Sequence, residues 1–239
     1  MNIKNIVDVL IVLGILLYGI VGMKKGGIKQ IVSTVGFIIV LILAFNLKNP
    51  LAEFLSLHLP FFKFGGIYEG VTALNILIYQ LIAFLIIVAL LETILNVIIS
   101  ISGILEKILK MTIILSIPSK ILGFIVGLIE GFLITFVILL ILNQPMFNIK
   151  AFDESKLTNK ILKSTPVMSS FANNIVEVVN DIYVIGKGNT EEEAVNDLNK
   201  NIVEIMLKHK MITSSYVKKL IDAGKIDIYG IEPILNQYQ

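Results

Sequence analysis

Four long apolar runs follow one another along the first 142 positions, at about residues 6–22, 28–46, 74–99 and 118–142. Short stretches rich in lysine, glycine and proline separate them. Each run is apolar on every side and not along one stripe, which suits a helix surrounded by lipid or buried in a core. About 20 such residues, at 1.5 Å each, cross a hydrocarbon layer of ~30 Å. The pattern predicts an all-α fold: a polytopic membrane helix bundle with four transmembrane helices. The breaks add detail. Met23 to Gly27 reads as a tight reversal built on Lys24, Lys25, Gly26 and Gly27, because glycine accepts positive φ. Pro50 starts a segment whose Leu51, Phe54, Leu55 and Leu59 share one side, and Ile101 to Lys110 is also amphipathic. Neither is long enough to span: the first is expected to be an interfacial or shallow re-entrant helix, the second an interfacial one.

After Gln144-Pro145 the hydropathy falls. Residues 1–146 carry nine lysines and six acids, and residues 147–239 eleven lysines and twelve acids. The chain therefore divides into a four-span membrane domain, 1–146, and a helical soluble tail, 147–239. In the tail, Thr190 with Glu193 three residues later reads as a capping box for a helix reaching Lys208. A helix is expected before it, from Pro166 to Ile185. Ser214 is expected to cap another, Tyr216 to Ala223, closed by Gly224, and a last short helix begins near Ile231. All twenty basic residues are lysine, and with abundant Ile and Asn this suits an AT-rich bacterial genome. The lack of cysteine excludes disulfides and thiolate metal sites. A charge-balanced tail gives no reason to expect nucleic acid as a partner.

The fourth run carries the most unusual pattern. Gly123, Gly127 and Gly131 recur every four residues and fall on one helical face, a stripe that lets a second backbone come close. Beside them, in mid-span, is Glu130. A central carboxylate opposes insertion by ~2.5–3.5 kcal/mol, whereas each Leu, Ile, Val or Phe favours it by about 0.3–0.6 kcal/mol. Residues 121–142 hold seventeen of those four types, so insertion wins. Glu130, Glu92, Asn96, Lys120 and Asp8 are the candidate intramembrane polar or ion contacts, with Lys120 and the polar stripe of the fourth run as the available partners for Glu92. Gln30, Ser33 and Thr34 look like helix-packing residues. His58 and His209 lack a second ligand at metal spacing, and Lys187 in GKGNT lacks the Walker spacing. No catalytic constellation, metal site or cofactor site is expected, and the chain does not read as an enzyme.

Taken together, several of these residues resemble the CvpA family, the colicin V production proteins. They are Asp8 early in the first span, Lys24-Lys25-Gly26-Gly27 after it, Lys120-Ile121-Leu122-Gly123, then Gly127 and Glu130-Gly131. Ser155-Lys156-Leu157 with Thr165-Pro166 resembles a short segment after the last span. The likeness covers about residues 3–166. It departs in having lysine where arginine is common, and in Pro118-Ser119. It implies a multi-pass protein of the bacterial inner membrane, linked to toxin biosynthesis or export and to the cell envelope, with no established enzymatic activity.

Three functional readings follow. One is a membrane protein that supports toxin production or envelope homeostasis through partner binding. Another is an oligomeric channel or ion-coupled transporter using its intramembrane carboxylates. The third is a structural membrane scaffold that presents the tail. The expected partners are the lipid bilayer, further copies of the chain, or other membrane and envelope proteins.

Overall fold

The computed structural model describes residues 3–65, 69–101, 116–142, 155–163 and 192–239. Every regular element among them is a helix: α1 (Ile3–Lys25), α2 (Gly27–His58), α3 (Leu74–Ile101), α4 (Ser116–Leu142), α5 (Lys156–Lys163), α6 (Glu192–Lys208), α7 (Ser214–Asp222) and α8 (Glu232–Gln237). The first four are long and apolar enough to cross a membrane. Two compact units share them. One comprises the described residues of Met1–Leu43 and Val88–Ala172, the other those of Ala44–Ile87 and Asn173–Gln239. This division differs from the hydropathy boundary near residue 146, because it records which parts pack together and not which parts prefer lipid.

In the first unit, α1 and α2 are joined through Gly26 alone, at φ 84°. Only glycine takes that conformation without strain. The Gly26 N–H donates to the Gly22 carbonyl at 3.0 Å, and the Gln30 N–H to the Gly26 carbonyl at 2.9 Å. The N–H of Gly27, an orphan at a helix start, donates to buried Ser119 Oγ of α4 at 2.9 Å. On its part of α2 an exposed apolar stripe passes through Ile31, Val35, Ile39 and Leu43.

α2 does not stop at Asn46. It runs through Pro50 to His58, so the separate surface helix expected there is the last turns of α2. Proline costs a helix interior about 3 kcal/mol or more. Packing in the second unit opposes that cost. Ala52 and Ser56 are fully buried, and Tyr216 Oη of α7 lies 2.7 Å from Ser56 Oγ and 3.4 Å from the Ala52 carbonyl. Tertiary contacts of this kind, more than propensity, hold most helices together.

The second unit closes the tail onto the end of α2 and the start of α3. Ile76, Tyr79 and Ala83 are buried in this unit, as are Ile202, Val203, Met206, Val217 and Leu220. Asn199 Oδ1 accepts from the Ala73 N–H at 2.9 Å, and its Nδ2 donates to the Val195 carbonyl at 3.1 Å. Buried Lys48 donates to Gln80 Oε1 and, at 3.0 Å, to Asn49 Oδ1; Gln80 Nε2 passes the chain on to the Met211 carbonyl at 3.2 Å. α7 is capped by Thr213, whose hydroxyl accepts from the Tyr216 N–H, one residue before the expected Ser214. Ser214 is buried and donates to the Tyr238 carbonyl instead. α7 ends at Gly224, φ 65°, with Gly224 N–H on the Ile221 carbonyl and Lys225 N–H on the Leu220 carbonyl, a Schellman closure.

Candidate functional site

Gly123, Gly127 and Gly131 face α1, and they do so at backbone distance. A Cβ at Gly127 would stand 2.5 Å from the Tyr18 carbonyl oxygen and 3.1 Å from the Cα atoms of Gly19 and Gly22. A Cβ at Gly131 would meet Tyr18 Cβ at 2.6 Å, and one at Gly123 would collide with the Gly22 carbonyl. The partner stripe on α1 is likewise glycine: Gly19, Gly22 and the turn residue Gly26. Two glycine faces thus let α1 and α4 touch along their main chains, which side chains would otherwise prevent.

Glu130 lies beside this seam and is 6 % exposed. Its partners come from the first two turns of α2. Gln30 Nε2 donates to Glu130 Oε2, Thr34 Oγ1 donates to the same oxygen at 2.9 Å, and Ser33 Oγ lies 3.4 Å from Oε1. Gln30 and Thr34 are themselves 1 % and 5 % exposed. Gln30 Nε2 also reaches Thr34 Oγ1 at 3.4 Å. One polar atom in the cluster, Gln30 Oε1, is buried without a hydrogen-bond partner. Among the described residues, its hydrogen-bond partners are all neutral groups. Glu92 of α3 is half-buried and lies within electrostatic reach of both Glu130 and Lys25. Lys120, expected near Glu92, is exposed, and it is the adjacent Ser119 that turns inward. Asn96 is exposed too, its carbonyl accepting from Ser100 Oγ at 2.7 Å.

Gln30, Ser33 and Thr34, read from the sequence as packing residues, are the partners of Glu130. Their spacing of three and four residues puts them on one face of the first turns of α2, and a buried carboxylate needs such donors.

Asp8 has a separate task. Its Oδ1 accepts from Ser155 Oγ at 2.5 Å and from the Leu157 N–H at 3.3 Å. Ser155 in turn accepts from the Thr158 N–H at 3.0 Å and is the N-cap of α5. A carboxylate at this end of a helix also meets the positive end of its dipole. Asp8 thereby ties the start of α1 to the segment after α4, joining two stretches that lie 147 residues apart.

The remaining candidates carry less. His58 is exposed, stacked on Phe54 with ring centroids 4.3 Å apart, with Nδ1 2.8 Å from the Phe54 carbonyl. Burial pushes the Tyr216 phenol up to about 12. Thr190, Lys187, Thr165-Pro166, Lys107, Lys110 and the helix expected over 166–185 lie outside the described residues, as does nearly all of the amphipathic connector after Ile101. Among the described residues no group of three or more His, Asp or Glu could hold a metal ion.

A family model described as Colicin V production protein matches residues 7–166, a stretch that takes in the glycine seam, Glu130 and the Asp8–Ser155 contact. No curated protein and no solved structure matches the chain.

Proposed function

Because the chain belongs to the colicin V production protein family, we propose that it is a multi-pass protein of the bacterial cytoplasmic membrane that supports toxin production and export, or upkeep of the cell envelope, by holding partner proteins. The observation that carries this reading is the α1–α4 seam. Backbones in contact along three glycines form a stiff frame, and stiffness suits a surface that others bind. The four hydrogen-bonded contacts around Glu130 and Thr34 stiffen the same frame from α2. The proposal assigns the chain no catalytic step.

The test is complementation of a deletion strain, reading toxin export and resistance to envelope stress at matched membrane levels. Gly127→Leu should fail to complement, because it forces the frame apart. Glu130→Gln keeps shape and hydrogen bonding and should complement. Loss of function in Glu130→Gln alone would favour a transporter working through an ionisable carboxylate. A deletion that alters neither phenotype would remove the basis of the proposal.

A further inference from the structure

We propose that the face of α3 carrying Ala89, Thr93, Asn96 and Ser100 is where a second copy of this chain packs, α3 beside α3, with the two Asn96 amides hydrogen-bonded to each other. The four residues follow a four-three-four spacing, so they fall on one side of the helix. All four are exposed. Leu95 points about a third of a turn away and packs on α2: a Cβ at Gly36 would stand 2.5 Å from Leu95 Cδ2. Among the four spans α3 is also the least covered, with 6 % of its apolar stretch buried against 22–28 % for the others.

Depth makes this face costly to leave against lipid. Gly36 lies nine residues into α2, about 14 Å along it and near the middle of a ~30 Å hydrocarbon layer. Asn96, next to Leu95, is therefore at mid-depth. The Thr93 hydroxyl donates to the Ala89 carbonyl at 2.8 Å and the Ser100 hydroxyl to the Asn96 carbonyl at 2.7 Å, so both are satisfied within the helix. The Asn96 amide is not: among the described residues no hydrogen bond reaches it. Acyl chains offer it neither donor nor acceptor. Asparagine is too short to reach a headgroup ~15 Å away, as a lysine would do by snorkelling.

Complementarity of charge selects the occupant. All copies insert the same way round, so two α3 helices that meet on this face run parallel about a two-fold axis along the membrane normal. Each residue then meets its own counterpart at its own depth. An amide is self-complementary: its positive N–H meets the partner's negative carbonyl, and the converse. No net charge enters the layer. Ala89 and Ser100 on either side are small and let the backbones close, and four-three-four is the spacing of a left-handed helix pair, whose register a single buried asparagine can fix. Glu92, by contrast, has Glu130 and Lys25 of its own chain within electrostatic reach. The pairing does not depend on the role in toxin production or envelope upkeep.

The experiment uses the full chain in native membranes and in liposomes. The chain has no cysteine, so single replacements report without background. Under mild oxidation in membranes, Thr93→Cys and Ser100→Cys should form disulfide-linked dimers, and Ile94→Cys, on the far side of α3, should not. In liposomes, energy transfer between copies labelled through Gln239→Cys is followed as lipid is added. Asn96→Leu should raise the dissociation constant about 10-fold, the loss expected for an interhelical amide bond. Asn96→Gln, which keeps an amide, should recover part of it. Amide exchange in α1, α2 and α4 should be unchanged in Asn96→Leu, which separates lost pairing from lost fold. Equal cross-linking from Ile94→Cys and Thr93→Cys, or none from either, would mean that lipid covers this face, and the proposal fails. Capture of Thr93→Cys on a different protein and not on itself would assign the face to that protein, and the proposal fails again. A dissociation constant that Asn96→Leu leaves unchanged would take the amide out of the contact and overturn it too.

Discussion

Replacing Gly127 with alanine adds one methyl group at the point where α1 and α4 touch. The added carbon would start 2.5 Å from the Tyr18 carbonyl oxygen and 3.1 Å from two glycine Cα atoms. All three are main-chain atoms, so no side chain can swing aside. To reach an ordinary contact of about 3.4 Å the helices must part locally by about 0.9 Å, and a gap of ~0.5–1 Å forfeits a quarter to a half of each dispersion contact it opens. Overpacking of this kind costs about 1–3 kcal/mol. The substitution also gains about 0.5–1 kcal/mol, because alanine is the better helix former. Gly14 supplies the correction. A Cβ there meets nothing within 4 Å, so Gly14→Ala carries the helix gain without the clash. The difference between the two variants isolates the seam and should be about 1–3 kcal/mol. Reversible unfolding of the full chain in mixed micelles, titrated with a denaturing detergent, measures it. Gly127→Leu should lie further in the same direction. If Gly127→Ala and Gly14→Ala agree within about 0.5 kcal/mol, the two backbones are not in contact and the reasoning fails.

Asp8→Ala removes the carboxylate that α5 leans on and should cost about 0.5–2 kcal/mol, seen as faster amide exchange over residues 155–163; unchanged exchange there would show that Ser155 caps α5 unaided. Tyr216→Phe removes the hydroxyl between Ser56 and Ala52 and should cost the tail unit about 1 kcal/mol by thermal unfolding. The same phenol sets a pH dependence: its folded value of about 12 lies above the ordinary 10, so its contribution is full below pH 10 and disappears as pH rises toward 12. Tyr216→Phe should flatten that part of the profile, and identical profiles would refute the assignment. Gly224→Ala forces a Cβ into φ 65° and should cost about 1 kcal/mol by the same thermal assay, with no clash to blame since nothing lies within 4 Å of the added carbon.

Hydropathy alone located the four long helices, because a run greasy on every side has few alternatives to a membrane. The turn at Gly26 and the stop at Gly224 were legible for a related reason: glycine between strong helix formers marks a backbone that must turn left-handed. What could not be read was pairing. Nothing local tells Glu130 that its donors are about a hundred residues earlier, or Asp8 that its partner is Ser155. Both depend on which helices become neighbours, and that is decided by the glycine faces of α1 and α4 together. The course of α2 through Pro50 was hidden likewise. Proline is a local veto, and the packing of Ala52 and Ser56 against Tyr216 overrides it from the far end of the chain.

The apolar stripe of α2 bears on the kind of bilayer this protein prefers. From Ile31 to Leu47 it is about 24 Å long at 1.5 Å per residue, and Lys48, Asn49 and Pro50 end it. An average hydrocarbon layer is ~30 Å. A stripe shorter than the layer is accommodated by thinning the lipid around it, at fractions of a kcal/mol per Å. Lipids with shorter acyl chains would meet it with less distortion, and a reconstitution series from long to short acyl chains should stabilise the protein in step.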